Sequence, residues 1–237
     1  MIIYGVNAVL DFVDLYSVRI EKLYVSNATL NKFSKTDKKK IKGVPIEEIS
    51  DRKFEVLTKS TKHQSLAAKI KVDPPKNFNQ LKSNLESLGK ILILDHIQDP
   101  QNLGAIARTC VFFGINTIII PSDRTASISP GSVKSSAGAI FSVNFYQVPN
   151  LGNVINEIKN AGYWILGTHL QGEDYKDTKF DKFMGENLAI VMGSEHKGLS
   201  TLIKKKCDIL LRIKGSGDTN SLNVNVATAI MISRFVT

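Results

Sequence analysis

Between residues 90 and 213 the chain carries five short apolar runs, "KILILDHI", "TIIIPS", "YWILGTHL", "LAIVMGS" and "CDILLRI". None of them alternates apolar with polar residues. A strand that shows one face to water must alternate, so strands of this kind are covered on both faces. Parallel neighbours need a long crossover, usually a helix, and the intervals between the runs leave room for one. Two intervals carry helix marks. "NLGAIARTCVFFG" places Leu103, Ile106, Ala107 and Cys110 on one stripe and closes at Gly114, and "NLGNVINEIKNAG" closes at Gly162. The expectation is an α/β domain with a mostly parallel sheet, whose ligands gather beyond the C-terminal strand ends.

The first part of the chain has another rhythm. "VNAVLDFV" reads as a short helix, "IEKLYVS" as a strand, and "VPIEEISDRKFEVLTK" contains a further helix with acidic residues in its first turn. Pro74 and Pro75 force extended backbone before them. The expected division is therefore a small α/β domain over residues 1–70, a linker over 71–88 and the larger domain over 89–237. The net charge of +9 is uneven, with +6 in residues 1–88 and +3 in the rest. Its densest run holds Lys38, Lys39, Lys40 and Lys42. Such lysines can neutralise RNA phosphates without reading sequence, or they can simply form a solvated loop. Two cysteines and four scattered histidines give no disulfide framework and no metal cluster. No run reaches the eighteen or so apolar residues of a membrane span, and no basic-then-apolar leader opens the chain, so a cytoplasmic protein is expected.

Polar residues follow the strands. Asn102 comes after "ILILDHI", Thr168 ends "YWILGTHL", Glu195 follows "LAIVMGS" and Ser221 follows "CDILLRI". Each has an ordinary alternative. Asn102 suits the cap of a helix starting near Leu103, and Arg108 lies off the apolar stripe, where arginine is common. Gly193 and Gly198 bracket a tight polar turn that fits neither a phosphate-binding loop nor a dinucleotide fingerprint. Asn223 and Asn225 stand in "SLNVNVATAIMI", a segment apolar enough to predict a last helix buried nearly all round, against the sheet and a second subunit.

Together these runs resemble the SPOUT-class RNA 2'-O-ribose methyltransferases. The likeness is carried by the N-x-G-x-x-x-R element (Asn102, Gly104, Arg108), the G-x-E-x-x-G loop (Gly193, Glu195, Gly198) and the S-L-N-V element (Ser221 to Val224). The N-terminal stretches "YGVNAV", "IEKLYV", "VPIEEIS" and "HQSLAAKI" resemble the small, ribosomal-protein-like domain of the branch that methylates a guanosine of 23S-type large-subunit rRNA. That resemblance implies a deep C-terminal trefoil knot, a homodimer and S-adenosylmethionine as cofactor, contacted by Thr168, Gly193, Ile213 and Leu222. It implies Arg108 as the central catalytic residue, with Asn102, Glu195, Ser221 and Asn223 orienting substrate or shaping the pocket. A tRNA ribose methyltransferase and a non-catalytic RNA-binding or ribosome-assembly protein are the alternatives. Two positions depart from the family pattern: Asn225 replaces a serine, and Ile140 stands in "SAGAIF" where a glutamate is usual.

Overall fold

The computed structural model describes residues 1–194, 197–217 and 221–236. The elements run β1 (Ile2–Tyr4), α1 (Val6–Tyr16), β2 (Ile20–Val25), α2 (Asn27–Lys32), α3 (Lys35–Lys40), β3 (Ile46–Glu48), α4 (Asp51–Thr58) and β4 (Leu66–Ile70). They continue with α5 (Phe78–Lys82), β5 (Ile91–Asp95), α6 (Pro100–Phe112), β6 (Thr117–Pro121), α7 (Pro130–Ser135), β7 (Asn144–Val148) and α8 (Leu151–Asn160). Last come β8 (Trp164–Asp174), β9 (Leu188–Gly193), α9 (Thr201–Lys206), β10 (Ile209–Arg212) and α10 (Val224–Phe235). Two compact units result, Met1–Pro74 with Ile128–Gly138, and Pro75–Ser127 with Ala139–Thr237.

In the first unit a sheet of order β1-β4-β2-β3 is antiparallel except for the β2–β3 pair. Helix α1 buries Val9, Leu10, Phe12 and Val13, and Phe54 of α4 lies in a core with Ile49 and Ala67. Helix α7 packs against β1, so residues 128–138 belong here although the sequence placed them in the larger domain. Ser34 and Asp37 form a capping box at the start of α3. The last turn of α3 carries Lys38, Lys39 and Lys40, where cations favour the negative end of the helix dipole.

The second unit is a six-stranded sheet of order β10-β8-β9-β5-β6-β7, and every neighbouring pair is parallel. Strands β5, β6 and β9 are buried at every residue, as their unbroken apolar runs require. Strand β7, "NFYQV", was not legible in the sequence because Asn144 and Gln147 interrupt its apolar residues. The stretch expected to be a linker is partly core. Leu81 of α5 and Leu85 are buried in the main hydrophobic cluster, and the Tyr163 hydroxyl donates to the Leu85 carbonyl at 3.0 Å. The prolines do extend the chain at the unit boundary, but leucines at helical spacing then claim a place under the sheet.

Helix α10 buries one face within the protomer, as the expectation of a helix shared between the sheet and a second subunit requires of that side. Val224, Thr228, Met231, Ile232 and Phe235 are buried, whereas Val226 is 44% exposed, so one face meets the core and the other does not.

The sheet order decides where a site can form. From β5 the chain steps outward to β6 and β7, then returns to β8 beyond β9, and β9 is laid next to β5. The direction of winding therefore reverses between β5 and β9. Loops leaving the C-terminal ends of those two strands part in opposite directions, and a crevice opens between them.

Candidate active site

A pocket of about 370 Å³ occupies this crevice. One wall comes from the β5–α6 connection, with Asp95, His96, Asp99 and Asn102. The other comes from the turn after β9, with Ser194, Lys197, Gly198 and Ser200. Arg124 and Val224 complete the lining.

Asp95 joins the two walls. It is 1% exposed, and a buried carboxylate is costly unless its oxygens are hydrogen-bonded. Here Oδ2 accepts the Ser200 backbone N–H at 2.7 Å, while Oδ1 lies 2.6 Å from His96 Nδ1. His96 holds a left-handed backbone with φ 63, which non-glycine residues rarely adopt. Neither residue was singled out from the sequence. The available signal was an acidic residue closing an otherwise apolar strand next to a histidine.

Helix α6 begins earlier than expected. Asp99 is its N-cap, accepting the Gln101 N–H, and Pro100 occupies the first turn. Asn102 is therefore not the cap. It is buried in the third helical position, and its Oδ1 accepts a hydrogen bond from Asn223 Nδ2 at 3.0 Å. Asn223 in turn is the N-cap of α10, its Oδ1 accepting the Asn225 N–H at 2.9 Å. The first and third polar elements of the sequence thus meet directly. Asn225, the departure from the family serine, accepts from the Thr109 hydroxyl at 2.9 Å and ties α10 to α6. Ile140, the other departure, is buried at 1% exposure and acts as core.

The remaining residues are dispersed. Arg108 is exposed, does not line the pocket, and has no hydrogen bond or ion pair among the described residues. Ser221 is exposed and lines no part of the pocket, and Glu195 lies outside the described residues. Gly193 ends β9 and makes a close backbone approach: a Cβ there would lie 2.2 Å from the Gly198 carbonyl carbon and 2.3 Å from the Leu199 nitrogen. The turn it allows is closed by Ser194 N–H to Gly198 O at 3.2 Å and Gly198 N–H to Ser194 O at 2.8 Å.

Three adjacent strands carry the expected cofactor residues: Gly193 ends β9, Ile213 directly follows β10, and Thr168 lies within β8 just after its pairing with the first half of β10. In the β8–β10 ladder Leu210 faces Gly167 but Leu211 faces Glu173, so residues 168–172 leave that ladder. Thr168 anchors the departure by donating its hydroxyl to the Val191 carbonyl at 3.3 Å. Leu222 is 48% exposed. These positions offer backbone groups, a hydroxyl and apolar side chains. Burial pushes both thiols, Cys110 and Cys207, up to about 12, which leaves neither as a nucleophile at neutral pH. Among the described residues no helix is long and apolar enough to cross a membrane, and no group of three or more His, Cys, Asp or Glu side chains could hold a metal ion.

Residues 89–233 match the SpoU rRNA Methylase family, and residues 2–75 match the RNA 2'-O ribose methyltransferase substrate binding domain. The chain belongs to the SpoU rRNA methylase family. It is an RNA 2'-O-ribose methyltransferase. An uncharacterized tRNA/rRNA methyltransferase of Borreliella burgdorferi is 35% identical over 202 residues, covering 81% of this chain and 87% of its own length. The SpoU methyltransferase AviRb of Streptomyces viridochromogenes, in complex with AdoMet, shares the fold with a TM-score of 0.75. That likeness covers 100% of this chain and 89% of AviRb at 22% identity. The TrmH/SpoU tRNA modifying enzyme of A. aeolicus matches 66% of this chain and 80% of its own, at 27% identity and a TM-score of 0.54.

Proposed function

We propose that this methyltransferase acts on a guanosine of large-subunit ribosomal RNA, as a homodimer with S-adenosylmethionine as the methyl donor. The observation that carries the rRNA reading is the N-terminal unit, matched to a substrate-binding domain over residues 2–75. The tRNA modifying enzyme of A. aeolicus resembles only 66% of this chain. We take the N-terminal unit as a ribosomal-protein-like module for RNA, and the loops after β8, β9 and β10 as parts of a trefoil knot.

The backbone around Thr168, Gly193 and Ile213, with Leu222, fits such a cofactor. Apolar Ile213 and Leu222 suit an adenine ring, and backbone groups suit ribose and amino-acid polar atoms. The sulfonium supplies a methyl group already activated for transfer. What the chain must add is alignment of the ribose oxygen and control of its proton. In this reading Asn102 and Asn223 shape the ribose side of the pocket, and Glu195 and Ser221 orient the substrate. Arg108 of one protomer serves the site of its partner, holding the ribose-phosphate and stabilising the forming alkoxide.

The deciding experiment offers purified protein transcribed 23S-type rRNA fragments and tRNA, followed by mapping of 2'-O-methyl groups. The expected product is one methylated guanosine in the rRNA. Methylation of tRNA alone would transfer the assignment to tRNA.

Lys38, Lys39 and Lys42 are exposed, while Lys40 pairs with Asp14 at 3.0 Å. The variant Lys38→Gln/Lys39→Gln/Lys42→Gln should bind RNA more weakly. Its log affinity should fall less steeply with log salt, by about 0.7–0.9 for each phosphate that is no longer neutralised. An unchanged salt slope would leave these lysines as a solvated face.

The dimer is motivated by α6 and α10, which pack on each other and expose Phe112 at 81% and Val226 at 44%. A charge at an interface position is costly, whereas at these exposed positions it spares the protomer's core. Phe112→Asp with Val226→Asp should give a folded monomer by light scattering and circular dichroism. A dimer that persists in the double variant would locate the interface elsewhere.

A further inference from the structure

We infer that His96 is the proton acceptor for the ribose 2'-hydroxyl and that Asp95 orients it for that task. The inference rests on the methyltransferase reading. A ribose hydroxyl is a weak nucleophile, and its proton must go somewhere as the new bond forms. Arg108 is a poor recipient, since a guanidinium does not lose its proton below a pH of about 12. Both thiols are held protonated by desolvation, Cys110 fully buried and Cys207 partly so. Asn102 has no basic nitrogen. In the pocket, Asp95 has both oxygens engaged and Asp99 caps α6. Among the described residues, the other charged groups lining it are the cations Arg124 and Lys197.

Among the described residues that line the pocket, His96 is the one with an imidazole nitrogen to spare. Its side chain is 31% exposed and lines the crevice. With Nδ1 only 2.6 Å from Asp95 Oδ1, the proton of the neutral ring belongs on Nδ1, because a carboxylate can only accept. That leaves the lone pair on Nε2. Asp95 is itself immobilised by the Ser200 N–H from the opposite wall, so the imidazole is held by a rigid support. The left-handed backbone of His96 fits such a duty, since unfavourable backbone conformations gather where function fixes them. Of the other histidines, His63 lies in the first unit, where its Nδ1 accepts the Ser65 N–H, His169 lies beside Lys204 at 3.5 Å, and His196 lies outside the described residues.

The step balances as follows. The 2'-oxygen forms a bond to the methyl carbon as the carbon–sulfur bond breaks, leaving its electron pair on sulfur and converting the sulfonium to a neutral thioether. The O–H bond breaks and its proton passes to Nε2. The resulting imidazolium is paired with Asp95 and releases the proton to water before the next turnover. Arg108 would stabilise the charge on oxygen while the transfer proceeds.

Two measurements test this. The first uses RNA-free protein and needs no activity: nitrogen NMR of the His96 ring at neutral pH should show the proton on Nδ1, and Asp95→Asn should move it to Nε2. A wild-type ring protonated on Nε2 would overturn the inference. The second is single-turnover methyl transfer at saturating RNA and cofactor. Wild type should gain rate with rising pH through one ionisation and then level off. His96→Asn is the chosen variant because asparagine tolerates a left-handed backbone. It should be slower by about 100-fold or more, with a flat profile and unchanged affinity for RNA. A flat wild-type profile, or His96→Asn at near-normal rate, would refute the role. Failure of the methyltransferase reading is distinct: wild type would then methylate neither rRNA nor tRNA, and this inference would fall with it.

Discussion

Arg108→Ala should lower the single-turnover rate of methyl transfer by at least about 100-fold, the scale on which one well-placed stabilising donor acts. The variant should fold like wild type. Its α6 neighbours Leu103, Ile106, Ala107 and Cys110 are each 0% exposed and form the helix's core face, while the Arg108 side chain lies outside it. Surface substitutions of this kind change stability by about 0.5 kcal/mol or less. Arg108→Lys should be poor as well, because one ammonium cannot reproduce the planar fork of a guanidinium. The position of Arg108 outside its own pocket makes a sharper test available. Mixed dimers of Arg108→Ala and Asn102→Ala protomers should transfer methyl groups faster than either parent, since one site of each mixed dimer then has both residues. Without that recovery the arginine works within its own protomer. With near-normal single-turnover rates for Arg108→Ala, it only helps binding.

Gly193→Ala should damage fold and site together. A Cβ cannot rotate away, and here it would meet backbone on the far side of the turn, 2.2 Å from Gly198 and 2.3 Å from Leu199. The strand end and the 198–199 segment must separate, and Ser200, whose N–H meets Asp95, follows directly. Forced overpacking of this sort costs about 1–3 kcal/mol, occasionally more. For a chain of this size each kcal/mol lowers Tm by about 2–4 °C. Affinity for S-adenosylmethionine should fall by about tenfold or more, equivalent to about 1.4 kcal/mol. Calorimetry would check both effects. An unchanged Tm and Kd would remove Gly193 from the site.

The parallel α/β unit was legible from residue order alone. Runs such as "ILIL" and "LAIVMG" have no polar residue to turn toward water, so they read as interior strands. The sequence also marked Asn102 after its strand, and Asn223 and Asn225 as polar residues in an apolar segment that need partners. That Asn102 and Asn223 partner each other, across 121 positions, needed the structure, because β5 and β9 become neighbours only through the order of strands in the sheet. The same order created the crevice and brought Asp95 within reach of Ser200. Local pattern misjudged the linker, since two prolines signal extended chain but do not report that Leu81 and Leu85 will find space under the sheet. It also misplaced residues 128–138, which pack with β1 of the first unit although apolar strands of the second flank them in sequence. Side-chain periodicity records how much of an element is buried; which surface buries it is decided only when the elements assemble.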